Sequence, residues 1–335
     1  MTMQTLRHLA RCCTAKRLLN LVKIFFSYVL SDKLKRSIVW GLPYTLTIEP
    51  TNLCNLRCPE CPSGTGELTR PLGMMEMENF NRIIDEVSEH AFYVQLFFQG
   101  EPFLHKHLFE MIRYAHQRKM YVAISTNAHF ISRDNAQEFI AAGLDRLIVS
   151  LDGLTQATYQ DYRVGGSLAK VTDALSILAE ERRAQHSTME VLLQFLVTKQ
   201  NESEIPTLHL WAKRYRATVA LKTMQVYSLA GAKQFLPTNE RFSRYEIVNG
   251  ELRTKNKMHN RCVRLWERSV VTWDGAVVPC CFDKDATHVL GRLNGTGFRA
   301  IWRSKTYDDF RKRILTNRRG VEMCANCTEG LKIYR

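Results

Sequence analysis

The sequence has no hydrophobic run of membrane-spanning length in its one candidate targeting stretch. That stretch, KRLLNLVKIFFSYVLSDKLKR at residues 16–36, holds an uncharged run of only eight residues, Ile24 to Ser31, where a bilayer needs roughly 20. Its shortness, the polar Ser31-Asp32-Lys33 that ends it and the want of a small-x-small cleavage site also exclude a signal peptide. Acidic residues are in deficit, 33 against 47 Lys and Arg, for a formal charge of +14. The excess sits at the ends: residues 1–40 carry eight Lys/Arg and one acid, residues 296–335 carry ten and four, and the middle is nearly neutral. A nucleic-acid enzyme would more often spread positive charge over its main body. No RNA-binding module is visible, aromatics are not interleaved with the basic runs, and repeats and low-complexity tracts are absent.

What is present is an ordinary globular composition, 45% hydrophobic and 24% charged, suited to an enzyme with one large core or two modest ones. Residues 16–36 read as a basic amphipathic helix with two uses. It packs on the main domain, or it lies on an anionic membrane surface with Leu18, Val22, Phe25 and Val29 toward lipid and Lys16, Asn20, Lys23 and Ser27 toward the headgroups. Ten cysteines stand at 12, 13, 54, 58, 61, 262, 280, 281, 324 and 327. Their metal-ligand spacings, in a large chain without an export signal, favour reduced thiols in the cytoplasm over disulfides. Peripheral membrane contact is the second expectation for location.

From residue 44, strand-length apolar runs alternate with helix-period segments. YTLTIEP, YVQLFFQG, YVAISTN, RLIVSLDG, VLLQFLVTK and TVALKTMQVY give six strands, and Phe80, Ile83, Ile84 and Val87 mark one of the helices between them. The alternation predicts an α/β fold with parallel strands, a partial (β/α)6 TIM-like barrel, followed by a small C-terminal cysteine-rich hairpin-helix domain. The boundaries expected are a basic helical segment at 1–43, the barrel at 44–228, a linker with one hairpin at 229–258 and the cysteine-rich unit at 259–335. In that unit, VVTWDGAVVPCC is expected to turn at Asp274-Gly275 in type I′ geometry, and a basic helix follows over roughly 297–315.

Cys54, Cys58 and Cys61 form one group, Cys-x3-Cys-x2-Cys, with no fourth Cys or His nearby. A closed tetrahedral metal site takes four ligands, so three leave a coordination position empty. A four-iron cube held by three thiolates has one iron left for a ligand. The group directly follows the first strand, where barrel enzymes keep their chemistry.

This stretch resembles the radical S-adenosylmethionine (radical SAM) superfamily, whose signature is that spacing in that loop. The resemblance implies that Cys54, Cys58 and Cys61 hold a [4Fe-4S] cluster whose fourth iron is chelated by SAM. Reductive cleavage of SAM then makes a 5′-deoxyadenosyl radical that abstracts hydrogen from substrate. Gln99-Gly100-Glu101-Pro102 is similar to the family's Gly-Gly-Glu-Pro element with Gln99 replacing the first glycine, which implies that Glu101 accepts from the SAM ammonium beside Gly100. Ser125, Asn127, Ser150 and Asp152, at the ends of the third and fourth strands, are similar to residues contacting SAM's ribose or methionine part, and Arg163 to the arginine that pairs with its carboxylate. Taken singly, Asn127, Ser150 and Asp152 also suit caps and turns.

Cys262, Cys280, Cys324 and Cys327 supply a complete set of four thiolates, which by chemistry alone suits zinc or an iron-sulfur cluster equally. Cys262-x12-Gly275-x4-Cys280 resembles the opening of the SPASM domain found behind radical SAM barrels, in a shortened, twitch-like form that implies one auxiliary [4Fe-4S] cluster. The glycine spacing favours Cys280 as ligand and leaves Cys281 as a buried thiol. Asp283 is a candidate catalytic base as well as a candidate cap. The expected activity is therefore that of a radical SAM enzyme oxidising or rearranging a small metabolite, a sugar- or lipid-like molecule or a peptide, served by an external electron donor of flavodoxin or ferredoxin type. Residues 1–43 are too short for the peptide-binding winged-helix module frequent in peptide maturases, which tilts the expectation away from peptides. An RNA-modifying enzyme and a non-catalytic iron-sulfur or zinc protein are the alternatives.

Overall fold

The computed structural model describes residues 10–328 and Leu331. Six parallel strands run in sequence order, β1 Thr45–Ile48, β2 Tyr93–Leu96, β3 Tyr121–Thr126, β4 Arg146–Ser150, β5 Glu190–Val197 and β6 Thr218–Thr223. The crossovers contain helices α2 Met77–Val87, α3 Leu108–Gln117, α4 Arg133–Ala141, α5 Gln156–Tyr162, α6 Leu168–Ala184 and α7 Ile205–Arg214. Side-chain hydroxyls set several starts: Ser132 accepts from the Asn135 N–H, and Thr155 and Thr158 form a reciprocal capping box. The expected stripe Phe80, Ile83, Ile84 and Val87 is the buried face of α2 and joins Leu46, Val94, Val122 and Leu147 in one core. Fully burying each such side chain stabilises by about 1.5–3 kcal/mol. This is the predicted α/β fold of the partial-barrel type.

The C-terminal unit does not stand apart. Strand β9, Arg268–Val271, pairs parallel to β1 and continues the sheet through β10, Ala276–Val278, and β11, Gly291–Arg292, giving the order β11-β10-β9-β1-β2-β3-β4-β5-β6. The β9–β10 turn is not type I′, because only Gly275 has a positive φ, of 78°. The Gly275 N–H donates to Thr272 O and the Thr272 N–H to Ala276 O, a three-residue loop with a left-handed glycine. The helix expected near 297–315 is two helices, α9 Phe298–Trp302 and α10 Lys305–Asn317, parted where the Ser304 hydroxyl accepts from Tyr307 N–H. Residues 229–258 hold helix α8, Leu229–Phe235, and the hairpin β7 Tyr245–Val248 and β8 Glu251–Thr254. The hairpin turns at Asn249-Gly250, both at positive φ.

Helix α1, Ala15–Leu34, lies across the N-terminal ends of the strands. The Arg17 guanidinium donates to Ser88 O, Arg118 O and Lys119 O at the ends of α2 and α3, where the helix dipoles favour a cation. Asn20 Nδ2 donates to Leu42 O and His90 O, just before β1 and β2.

Candidate active site

The cysteine loop leaves β1 at the C-terminal end of the sheet. Thr51 begins it, with Oγ1 donating to Gly73 O at 2.7 Å, and Glu101 N–H closes it by donating to Leu53 O at 2.7 Å. Gly100 makes this approach possible: its φ is +75°, and a Cβ there would lie 2.6 Å from both Leu53 O and Thr51 O. Only glycine fits. Cys58 is buried, and Cys54 and Cys61 are half-buried. The Leu56 N–H points at Cys54 Sγ at 3.5 Å and Arg163 Nη1 at Cys58 Sγ at 3.7 Å. Burial pushes the Cys54 thiol up to about 11 and raises Cys58 against the pull of Arg163, so metal must displace protons to bind.

Glu101 is fully buried. Its carboxylate accepts from Thr126 Oγ1 at 2.7 Å, Asn127 N–H at 2.8 Å and Phe103 N–H at 3.2 Å. Burial nonetheless drives its pKa up, countered in part by those donors, and among the described residues no ion pair to it is formed. Asn127 Nδ2 donates to Asn55 Oδ1 at 2.8 Å, tying the end of β3 to the cysteine loop. Ser125 is half-buried at the end of β3, and Ser150 is buried at the end of β4.

Asp152, expected at the ligand, is buried and bonded within the chain. Its Oδ2 accepts from Arg163 Nε at 2.5 Å and its Oδ1 from Leu196 N–H at 2.7 Å. It therefore aims the arginine at the Cys58 side of the loop. Asp283 is buried and bonded as a turn cap: Oδ1 accepts from the Thr287 N–H and hydroxyl, and Oδ2 accepts from His288 N–H.

Cys262, Cys280, Cys324 and Cys327 line one cavity together with Phe282 and Arg318. Cys281 is exposed, not buried, and is not part of it. The buried Arg318 donates through Nη2 to Cys327 Sγ at 3.3 Å. The thiols hold the Arg318 pKa above its ordinary value although desolvation opposes them, and burial drives the Cys280 thiol well up.

Several residues that sequence reasoning missed hold the two cysteine sites in place. Glu49, the first residue after β1, is fully buried and takes a two-pronged contact from Arg70, Nη1 to Oε2 and Nη2 to Oε1, both at 2.6 Å. It also accepts from the Gln99 and Trp273 N–H groups, and so joins β1, the β2 end and the β9–β10 turn. Arg70 Nε donates to Lys284 O and Thr69 to the Asp285 carboxylate. On the far side, Arg244 bonds Thr223 O at the end of β6 and Asn326 O between Cys324 and Cys327. An acid directly after an apolar strand was the one sequence signal for Glu49.

A profile of the Radical SAM superfamily matches residues 48–211, and one of the SPASM iron-sulfur cluster-binding domain matches residues 262–328. The Fe-coproporphyrin III synthase of Methanosarcina barkeri is 28% identical over 174 residues, covering 52% of this chain and 40% of that protein. The tungsten-containing aldehyde ferredoxin oxidoreductase cofactor-modifying protein of Pyrococcus furiosus is 25% identical over 319 residues, 84% of this chain and 86% of that protein. The chain thus spans less than half of the first relative and most of the second. Among solved structures, Streptococcus suis SuiB bound to S-adenosylmethionine is similar in fold, with a TM-score of 0.64 at 14% identity over 85% of this chain and 71% of that chain.

Proposed function

Because the chain carries a radical SAM domain with a SPASM iron-sulfur domain behind it, we propose that it is an enzyme that cleaves SAM reductively at a [4Fe-4S] cluster on Cys54, Cys58 and Cys61 and oxidises or rearranges its substrate. The observation that carries this is the meeting, at the open end of the barrel, of three thiols with the buried carboxylate of Glu101, which has three hydrogen-bond donors and, among the described residues, no ion-pair partner. That donor set fits a cluster with one iron left over and a cationic amino group beside it. When bound, the cluster and SAM supply one-electron cleavage of a sulfonium and hydrogen-atom abstraction.

The chain's own residues bind and orient. Glu101 receives the SAM ammonium, fixed by Thr126 and the Asn127 N–H. Arg163, steered by Asp152, answers the SAM carboxylate and sets a positive charge against Cys58. Ser125, Asn127 and Ser150 offer polar groups from the strand ends. The second site holds an auxiliary [4Fe-4S] cluster on Cys262, Cys280, Cys324 and Cys327. The match of residues 262–328 to an iron-sulfur cluster-binding domain supports a cluster over zinc. The substrate is a small metabolite, a sugar- or lipid-like molecule or a peptide, and a flavodoxin- or ferredoxin-type protein supplies the electron. The chain works in the cytoplasm, with the membrane contact argued below.

The test is anaerobic reconstitution with iron and sulfide, then reduction in the presence of SAM. Roughly eight irons per chain and release of 5′-deoxyadenosine are expected. About four irons with one zinc overturns the auxiliary cluster, and no 5′-deoxyadenosine under any reductant overturns the enzyme.

A further inference from the structure

Helix α1 is built inside out. Its buried positions are Arg17, Asn20, Ile24, Ser27 and Ser31, four of them polar. Its large apolar side chains face outward: Leu18, Leu19, Val22, Phe25, Phe26 and Leu34 are each 51–62% exposed. A helix on a globular domain ordinarily shows the opposite arrangement, and a contiguous apolar patch of this kind marks an interaction surface. The helix cannot hide it by rolling over. Arg17 and Asn20 hold carbonyls of the barrel, and Ser31 Oγ donates to Ile38 O at 2.9 Å; rotation would break these bonds and bury unsatisfied groups. Of the positions expected to meet headgroups, Asn20 and Ser27 are buried against the protein, and Val29, expected to meet lipid, is half-buried.

The surroundings of the patch are basic. A cavity of about 350 Å³ beside it is lined by Lys16, Lys23, His90, Arg299 and Arg303 with the half-exposed Trp40. Among the described residues that line it the one carboxylate, Glu89, is paired with Lys16 at 2.6 Å. Within the helix itself the only acid is Asp32.

We propose that the chain docks on the surface of an anionic phospholipid bilayer, with the outer face of α1 among the acyl chains and the Lys23–Arg303 cavity receiving a lipid phosphate. Apolar contact with flanking lysines is the pattern of an in-plane interfacial helix, and Trp40 lies where an aromatic ring is favoured at the headgroup level. No helix among the described residues is long and apolar enough to cross a membrane. A second copy of the chain fits less well, because a two-fold contact sets the same patch against itself and would bring lysines against lysines. The placement of α1 fixes the orientation. It crosses the N-terminal ends of the strands, so the cysteine loops at their C-terminal ends turn away from the bilayer, and substrate enters from the aqueous side.

The test uses the full chain and vesicles of phosphatidylcholine with or without phosphatidylglycerol, read by co-sedimentation. Binding to the anionic vesicles is expected, weaker binding to the neutral ones, and a decline with salt. Phe25→Ser with Phe26→Ser is expected to lose binding to both by at least about tenfold. Lys23→Glu with Arg303→Glu is expected to lose the anionic preference by about fivefold or more per charge. Both variants keep the wild-type circular dichroism and iron content. Brominated lipids should quench tryptophan emission in the wild type, and the quenching should vanish in Trp40→Phe. The proposal is overturned if the wild type stays in solution, if the variants bind as it does, or if the phenylalanine pair instead dissolves a lipid-free dimer.

Discussion

Replacing Arg70 with methionine should cost more stability than any exposed ion pair could, and should do so in a pH-dependent way. Arg70 is 9% and Glu49 0% exposed at the side chain, and the pair is two-pronged at 2.6 Å on each arm. Methionine fills much of the same volume, so the main loss is the countercharge. What remains on the carboxylate are the N–H groups of Gln99 and Trp273, and removing one partner of a buried pair costs about 3–5 kcal/mol. At about 2.1 cal/mol/K per residue, the 335 residues give an unfolding entropy of about 0.7 kcal/mol/K, so Tm should fall by about 4–7 °C. The sign of the pH effect follows from burial, which raises the Glu49 pKa even with Arg70 in place. A carboxyl whose folded pKa lies above its unfolded value contributes stability below the unfolded value and loses it as pH rises through the folded one. Without Arg70 that upward shift grows, so the deficit should be widest at neutral pH and narrow toward about pH 4. Thermal melts of the cluster-loaded chain at a fixed scan rate, over a pH series, measure it. A deficit under about 1.5 °C, or one that does not change with pH, would refute the buried-charge account.

Four further outcomes can be checked in the same preparations. Gly100→Ala, which drives a Cβ to 2.6 Å from two carbonyls of the cysteine loop, should lower iron occupancy of the first site while leaving the second filled, as iron counts and electron paramagnetic resonance will show. Cys58→Ala should abolish release of 5′-deoxyadenosine, whereas Cys324→Ala should spare part of it and lose substrate turnover. Glu101→Gln removes the carboxylate expected to meet the ammonium and should weaken SAM binding by at least about tenfold in a filtration assay, given the roughly 1.5–3 kcal/mol of a hydrogen bond to a charged group. Arg318→Met takes away the donor to Cys327 Sγ, and since hydrogen bonds and positive charge favour the reduced cluster, the auxiliary potential should move negative in a redox titration while Arg318→Lys recovers part of the shift.

Much of the barrel was legible because its strands are buried and therefore near-continuously apolar, and because α2 repeats its apolar residues at helical spacing. The three-cysteine group was legible because its ligands are close in sequence. Polar roles were harder to read. Asp152 and Asp283 stand at strand or hairpin ends where a carboxylate serves equally as a ligand contact or a cap, and the spacing does not name their partners, Arg163 and Leu196 for the one and Thr287 and His288 for the other. Cys280 and Cys281 are neighbours, the first half-buried in the cavity wall and the second exposed, a difference that depends on which face of the chain leaves β10 inward. The helix α8 escaped because seven residues are too few for a period to register.

The inverted face of α1 follows from the same limit. Periodicity marks a helix as two-faced but does not say which face turns inward, and the ordinary assumption sends the apolar one to the core. Here the inward face is chosen by unsatisfied carbonyls at the ends of α2 and α3 and before β1 and β2, which need donors more than they need apolar cover. Arg17 and Asn20 supply those donors, and their choice of side leaves Phe25 and Phe26 in solvent. At the other end of the barrel the same kind of bonding works between segments far apart in sequence: Arg70 with Glu49 and Lys284, Thr69 with Asp285, Arg244 with Thr223 and Asn326. The loops that bear the two sets of thiols are thereby held to one sheet. A change on the outer face of α1, at the opposite end of the strands, should accordingly leave iron loading at both sites undisturbed.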